Sequence, residues 1–462
     1  MSILDGILNN LPEVSAPKEK RLPFKEKIKW TLIVLVLFFV MGLIPLYGLG
    51  ENALQQFEFL SIILGASFGS IISLGIGPLV TSSIVLQLLA GTGILNLDLT
   101  SPEGRRKFQG LQKISSFVFI ILEACIYVLM GGLAPSAALA GTPIYGQMEL
   151  LLIIQLVLGG ILILFMDEVV SKWGIGSGIS LFIAAGVAQQ IFIRAFNFLP
   201  SPTNPDIAAG AIPALFQSLS AGDITTATLQ IAAVVSTIVV FAICVYGQAM
   251  KVEIPLAFGK VRGYGMRWPL NFFYTSNIPV ILTAALVANI ELFGKLLERW
   301  GHPIFGTFSG NSPISGLVFW IRAPDLLNNI ITGSFSSVQL LQALSYILVM
   351  VGGSILFGIF WVQTAGMDAR SQAKQIMAAG LQMPGFRRDE RILEKVLSRY
   401  IWPLTVLGGA AVGILASIAD LSGALSRGTG ILLTVMIVYK IYEEIAKQHM
   451  SDMNPGLRKF ME

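Results

Sequence analysis

Runs of about 20 apolar residues recur along the chain, and short polar stretches separate them. A helix of that length matches the thickness of the hydrocarbon core of a bilayer. The pattern predicts ten such helices, at residues 30–48, 76–92, 112–132, 148–167, 178–193, 228–249, 273–292, 339–361, 401–419 and 429–446. We therefore expect an all-α membrane protein with ten transmembrane helices.

Composition agrees with this expectation. Of the 462 residues, 54% are hydrophobic and 13% are charged. A soluble domain carries about a quarter charged residues. Much of the surface of this chain must therefore face lipid.

The apolar stretch 59–92 is too long for one span, and several glycines and Pro78 interrupt it. If residues 55–72 crossed the membrane, the basic cluster that begins at Arg105 and every later basic loop would lie outside. If they only dip in from the outside, most of the 31 Lys and Arg residues are cytoplasmic, as the positive-inside rule requires. We therefore predict a re-entrant segment at about 55–72, surrounded by protein rather than lipid.

This topology divides the chain into four parts and places both termini in the cytoplasm. The parts are a cytoplasmic N-terminal segment at 1–29, a first half with helices one to five at 30–227, a second half with helices six to ten at 228–446, and a cytoplasmic tail at 447–462. The second half contains two long basic cytoplasmic loops, 250–272 and 362–399. We expect a multi-pass protein of the cell membrane.

Two pairs of motifs indicate an internal repeat. Gly176-Ser-Gly-Ile-Ser-Leu resembles Gly428-Thr-Gly-Ile-Leu-Leu, and Ile76-Gly-Pro-Leu-Val-Thr resembles Ile278-Pro-Val-Ile-Leu-Thr. Apolar segments can resemble each other by chance, but both pairs run in opposite directions through the membrane. Opposite directions are typical of an inverted repeat, here of two five-helix halves.

The sequence argues against an enzyme. Its two histidines, His302 and His449, lie outside the predicted spans, so a membrane-embedded protease would lack both a general base and zinc ligands. No glycine-rich stretch carries the Lys-Ser/Thr of a phosphate-binding loop, and Cys125 and Cys244 are isolated core positions. We predict no catalytic residue, no metal and no cofactor.

Two classes remain, a pore for large molecules and a secondary solute transporter with inverted repeats. A transporter needs polar ligands where its helices break near the midplane. The residues after the breaks are aliphatic instead, as at Ile76, Ile179, Ile281 and Leu433. This pattern favours a pore, and the transporter stays as the alternative.

Ionisable residues inside the predicted spans are few. Glu123 lies in the middle of helix three, where a carboxylate is costly without polar partners, and Gln87 and Asn289 are candidate partners. Five other acids fall at helix ends, where we expect them to be solvated: Glu149, Asp167, Glu168, Glu291 and Asp420.

Several motifs together resemble the SecY family. Leu74-Gly-Ile-Gly-Pro-Leu-Val-Thr is similar to the start of its second helix, and the run from Asp167 to Ile183 to its fourth-to-fifth helix junction. Val252-Glu-Ile-Pro-Leu-Ala and Ser276-Asn-Ile-Pro-Val-Ile resemble the loop before its seventh helix and that helix itself. The likeness is ordered, spans nearly the whole chain and is closest to the archaeal branch.

The resemblance implies a channel for unfolded secretory polypeptides that also inserts membrane proteins sideways into lipid. A constriction of six aliphatic side chains would close an hourglass pore between the two halves, with the segment at 55–72 as a plug. By motif the six are Ile76, Val80, Ile179, Ile183, Ile281 and Leu433. Signal sequences would leave the pore between helices two and seven, where we expect a polar contact among Thr81, Gln87, Glu123 and Asn289.

The resemblance also implies partners. SecE would clamp the back of the shell, and a small third subunit of the Sec beta or SecG type would join it. The ribosome, including its RNA, and the signal-recognition-particle receptor would dock on the basic loops. There we predict contacts from Arg262, Arg267, Arg387 and Arg388.

Overall fold

The computed structural model describes residues 11–18, 22–50, 69–91, 94–95, 101–129, 131–139, 141–200, 207–258, 265–275, 278–309, 312–378, 381–382, 389–426 and 428–453. The first half contains helices α1 (Phe24–Gly42), α2 (Gly77–Gly91), α3 (Pro102–Leu129), α4 (Pro143–Trp173), α5 (Gly178–Phe196) and α6 (Ala211–Ala221). The second contains α7 (Ile224–Ala249), α8 (Ile278–Arg299), α9 (Leu317–Ile321), α10 (Leu326–Ile331), α11 (Ser337–Thr364), α12 (Ala369–Ala378), α13 (Glu390–Leu421) and α14 (Gly428–Met453).

Each of the ten predicted helices overlaps one of these, namely α1–α5, α7, α8, α11, α13 and α14. Within the described residues, seven are long and apolar enough to cross a membrane by length and composition: α3, α4, α5, α7, α8, α11 and α13. Helix α2 is only 15 residues long, because the chain before it forms turns rather than helix. The helical membrane architecture is confirmed, and the short helices α6, α9, α10 and α12 lie in segments predicted as loops.

The basic loops hold a small sheet that the sequence analysis did not predict. Strands β1 (Lys251–Phe258) and β2 (Gly265–Asn271) form an antiparallel hairpin, with Val252 opposite Leu270. Strand β5 (Leu381–Gln382) pairs with the other edge of β1. A further pair, β3 (Phe308–Ser309) and β4 (Ser312–Pro313), lies between α8 and α9. The two loops 250–272 and 362–399 therefore meet in one three-stranded sheet, because β1 bonds to strands from both.

The largest core cluster joins the two halves of the chain. It contains residues from α1, α2, α4, α5, α7, α8, α11, α13 and α14. Phe38 of α1 stacks on Phe182 of α5, with ring centroids 4.6 Å apart. Outside this core many large apolar side chains stay exposed, such as Phe241 and Val438. Such a surface fits a lipid environment, where an apolar exterior carries no cost.

The segment before α2 runs close against α4. A Cβ atom on Gly159 would lie 1.9 Å from the Ile71 carbonyl oxygen, so only glycine allows this approach. The Ile71 amide donates to the Ile44 carbonyl at 3.0 Å, and the Leu46 amide donates to the Gly69 carbonyl at 2.7 Å. The returning chain is therefore bonded to the end of α1 and packed on α4.

Candidate pore ring and lateral gate

The six predicted ring residues lie together. Ile76, Val80, Ile183, Ile281 and Leu433 are all buried members of one cluster, at 1%, 4%, 3%, 8% and 6% exposure. Ile179 is half-buried and packs against the same cluster. Side chains from the starts of four separate helices thus share one apolar core cluster.

Helix starts explain this convergence. Helices α2, α5, α8 and α14 begin at Gly77, Gly178, Ile278 and Gly428, and each ring residue lies at or within two turns of one of these starts. A spacing of four residues puts two side chains on the same helix face, as for Ile76 with Val80 and Ile179 with Ile183. The aliphatic side chains near these four helix starts therefore belong to, or pack against, one core cluster.

The described part of the predicted re-entrant segment reaches the same cluster. Ile72 is 1% exposed and is a member of it. Gly69 and Gly75 adopt positive φ angles of 88° and 56°, which glycine accommodates without strain. Residues 51–68, where most of the predicted plug falls, lie outside the described residues.

A polar contact joins α2 to α8. The Asn289 side-chain amide donates to the Thr81 hydroxyl at 3.1 Å, and the buried carboxyl of Glu123, on α3, lies close to Thr81. Glu123 and Asn289 are 3% and 7% exposed. The structure therefore brings three of the four predicted gate residues together. Gln87 is also buried, but no described hydrogen bond joins its Oε1 to the others.

Two acids expected to be solvated at helix ends are held by cations instead. Helix α8 continues to Arg299, so Glu291 lies inside it, 1% exposed, with Oε1 3.5 Å from the Arg322 guanidinium. Glu168 pairs with Lys113 of α3. The expectation was wrong because a poorly solvated carboxylate needs a charged or hydrogen-bonding partner, and both partners are distant in sequence.

Two further acids bind helix N-termini rather than water. Asp167 accepts from the Ile179 amide at 2.9 Å. Asp420 accepts from the Thr429 amide at 2.8 Å and from the Tyr346 hydroxyl at 2.5 Å. The predicted helix ends were nearly right, but hydropathy does not indicate that the start of the next helix lies against the carboxylate.

Ion pairs join segments that the topology puts on the cytoplasmic side. Lys172, at the end of α4, lies 2.6 Å from Glu13, and Lys251 of β1 lies 3.1 Å from Glu443 of α14. The hydrogen bond from Lys172 lowers the pKa of the Glu13 carboxyl. The hydrogen bond to Glu443 raises the pKa of Lys251.

The basic loops are only partly described. Arg262, Arg387 and Arg388 lie outside the described residues, and Arg267 stands on β2 opposite Pro255. The Tyr274 hydroxyl donates to the Met367 carbonyl at 2.6 Å. This hydrogen bond ties the start of the second loop to the segment that follows the first.

An apolar groove of about 650 Å³ lies between α5, α7 and α14. Its lining includes Phe192, Phe241, Val245, Val438 and Tyr442. Sequence reasoning missed the groove, because lipid-facing and groove-facing positions are equally apolar. The groove spans a helix of the first half and two helices of the second.

Together these features indicate a class of protein: a polytopic helical membrane channel, with clustered aliphatic side chains where four helices begin and a polar contact between two of them. Residues 70–442 match the family model SecY, and residues 36–69 match the model described as the plug domain of Sec61p. The chain belongs to the SecY family, whose members are translocation channels rather than enzymes.

Similar proteins cover the chain almost end to end. The protein translocase subunit SecY of Methanothermobacter thermautotrophicus is 46% identical over 461 residues, covering 99% of this chain and 98% of that one. A structure described as that of a protein conducting channel has a TM-score of 0.83 at 42% identity, covering 98% and 99% of the two chains. Sec61 in the canine ribosome-channel complex from the endoplasmic reticulum has a TM-score of 0.80 at 41% identity, with the same coverage. The channel prediction is confirmed, and the solute transporter is not favoured.

Proposed function

We propose that this chain forms the pore of a translocase for unfolded polypeptides, and that Ile76, Val80, Ile179, Ile183, Ile281 and Leu433 form its seal. The proposal rests on the presence of these six side chains, from four helix starts, in or against one buried apolar cluster. The segment at 55–72 would cover the ring from the outer side. Its last residue, Ile72, already packs in the ring cluster.

An aliphatic ring meets two conflicting demands on such a pore. The pore must pass side chains of every chemistry, so it cannot offer specific hydrogen bonds. It must also hold back ions. Aliphatic side chains offer no ligands to replace the hydration shell of an ion, and a narrow apolar constriction tends to dewet. The same side chains pack around a passing polypeptide without binding it.

The seam between α2 and α8 is the exit to lipid for signal sequences and membrane segments. Its support is the Thr81–Asn289 hydrogen bond, with Glu123 as a third member. Hydrogen bonds between membrane helices contribute about 0.6 kcal/mol on average. A seam of that strength opens when an apolar signal helix takes the place of the contact.

A SecE-type subunit is the proposed occupant of the groove between α5, α7 and α14. A single apolar helix lying there would contact both halves, as a clamp at the back of the shell must. The lining supports this occupant because its walls are apolar and include the aromatic side chains of Phe192 and Phe241. A small third subunit of the Sec beta or SecG type completes the proposed complex.

The cytoplasmic sheet is the proposed docking site for the ribosome and for the signal-recognition-particle receptor. The sheet supports this proposal because it unites both basic loops. Sec61, 41% identical, occurs in a ribosome-channel complex. Basic loops that reach ribosomal RNA would bind its phosphates, and such binding weakens with salt. Both termini would lie in the cytoplasm, with the chain in the cell membrane.

The seal is tested by ion conductance. Changing Ile76, Ile179, Ile183 and Ile281 together to Ser should raise the conductance of the resting channel in planar bilayers, because hydroxyls wet the constriction. The matched control changes the same four residues to Val, which keeps the ring apolar and should conduct like the parent. A folded, assembled Ser variant that conducts no more than the parent would show that the seal lies elsewhere.

A further inference from the structure

Two helix junctions contain the same kind of hydrogen bond. Helix α4 leads into α5, and α13 leads into α14, each through a short turn. At the first junction Oδ1 of Asp167 accepts from the Ile179 amide at 2.9 Å, and at the second Oδ1 of Asp420 accepts from the Thr429 amide at 2.8 Å. In both cases the donor is the second residue of the new helix. The two halves therefore repeat a carboxylate contact as well as a sequence motif.

Each bonded amide lies one helical turn before a ring residue. Ile183 follows Ile179 by four residues, and Leu433 follows Thr429 by four residues. Residues spaced by four share a helix face, and Ile179 is itself a ring position. Each carboxylate is thus joined by one hydrogen bond and one helical turn to a side chain of the constriction.

We propose that Asp167 and Asp420 are positioning residues that fix the depth and rotation of α5 and α14, and so hold the ring closed. This inference rests on the proposed role of the ring as the seal. In the predicted topology Asp167 acts from the cytoplasmic side and Asp420 from the outer side. The ring-bearing helices are therefore held from both faces of the membrane.

Packing around the junctions supports a fixed rather than a loose contact. A Cβ atom on Gly178 would lie 2.6 Å from Asp167 Cα, so α5 starts directly against α4. A Cβ atom on Gly430 would lie 3.2 Å from the Val187 side chain, so α14 starts against α5. A shift of α5 would therefore displace the start of α14, because Val187 of α5 lies directly against Gly430.

The carboxylate–amide hydrogen bonds also suit helix ends that lie beside a pore. The first amides of a helix lack partners within it and carry partial positive charge. Left free beside the constriction, they would attract water and anions. Each carboxylate satisfies an amide and opposes the charge at the helix end. Asp420 is itself held by the Tyr346 and Thr429 hydroxyls.

The test separates geometry from charge by substituting each aspartate in the whole complex. Asn keeps an oxygen acceptor at the same distance and loses the charge, whereas Glu keeps the charge and displaces the acceptor by one methylene. We expect Asp167→Asn and Asp420→Asn to keep the resting conductance of the parent in planar bilayers. We expect Asp167→Glu, Asp420→Glu and the Ala variants to raise the open fraction about tenfold, the change that follows from losing one buried acceptor. The same variants should export reporters with weakened signal sequences.

A control tests whether any lost helix cap causes a leak. Asp223 caps α7, which carries no ring residue, by accepting from the Thr226 amide at 3.2 Å. Asp223→Ala should leave conductance unchanged. If Ala variants at Asp167 or Asp420 fail to assemble, the Asn and Glu pair still decides the question.

The outcomes are distinguishable. If the Asn variants raise the resting conductance and the Glu variants do not, the positioning role is overturned in favour of charge alone. If the four-fold Ser variant of the ring raises the resting conductance but the Glu and Ala variants do not, this inference is overturned and the proposed seal stands. If the four-fold Ser variant leaves the conductance unchanged, the seal itself is overturned.

Discussion

Helices α7 and α8 are neighbours in the chain, joined through the β1–β2 hairpin, yet they face different surroundings. The most apolar window of α7 has a mean hydropathy of 2.4, and 11% of it is buried. The corresponding window of α8 has a lower mean hydropathy, 1.8, but 61% of it is buried. The more apolar helix is therefore the more exposed one.

The side chains show why. Helix α8 buries Thr283, Asn289 and Glu291, whereas α7 exposes Phe241 and Tyr246 at 54% and 74%. Lipid is as apolar as a protein core, so burial gains little for an apolar side chain in a membrane. A polar side chain gains more, because its partners lie inside the protein. In α8, polar side chains within the span therefore face the protein interior.

Locking α8 to α2 should have the largest effect. In a Thr81→Cys, Asn289→Cys variant, an oxidised bridge replaces the hydrogen bond, and insertion of membrane proteins should fall to background because the seam cannot part. Insertion is measured by protease protection in reconstituted vesicles. The same variant under reducing agent, and each single cysteine under oxidant, are the controls. Full insertion with the bridge completely formed would disprove the gate.

Polar substitutions on the exposed face of α7 should affect binding of the SecE-type subunit only where that face lines the groove. Phe241→Asn with Val245→Asn should abolish co-purification of a SecE-type subunit in mild detergent, because polar groups would face its apolar helix. Val239→Asn with Ile243→Asn is the matched control on the same helix, since both side chains are exposed at 48% and 44% and neither lines the groove. Equal loss in both variants would mean that the groove faces only lipid.

The two basic loops, 250–272 and 362–399, should govern ribosome binding. Changing Arg262, Arg267, Arg387 and Arg388 to Glu should weaken binding on the order of a hundredfold at low salt, since each Arg that contacts a phosphate adds to the salt-dependent affinity. The slope of log affinity against log salt should also flatten. Co-sedimentation with ribosomes measures both quantities. If the four Arg-to-Glu changes leave the ribosome affinity unchanged, the docking surface lies elsewhere.

Removing a single polar side chain from α8 should have the smallest effect. Asn289→Leu loses the bond to Thr81, which at about 0.6 kcal/mol changes the ratio of open to closed seams roughly threefold. Export of a reporter with a weakened signal sequence should rise by that factor. Val239→Leu on α7 should change nothing. A fall in export would show that Asn289 stabilises the open seam instead.

Much of the site could be predicted from the sequence. Aliphatic residues follow the Gly and Pro interruptions at Ile76, Ile179 and Ile281, and the structure brings them into one cluster. Asn289, suggested as a partner for Glu123, hydrogen-bonds to Thr81, and the Glu123 carboxyl lies close to the same residue. Breaks in a span and polar residues within it are rare, so they indicate where to look for a site.

The sequence by itself determined that the chain is a helical membrane protein and where its long apolar helices lie, because transfer of an apolar run into lipid depends on that run alone. Only the tertiary structure decided which residues become partners. Thr81 and Asn289 lie 208 positions apart, and Glu291 meets Arg322 from a loop beyond its helix. The β1–β5 pairing, the groove between α5, α7 and α14, and the carboxylate contacts of Asp167 and Asp420 likewise depend on how separate elements pack. Hydropathy measures each side chain against solvent, whereas these contacts are set by the geometry between elements.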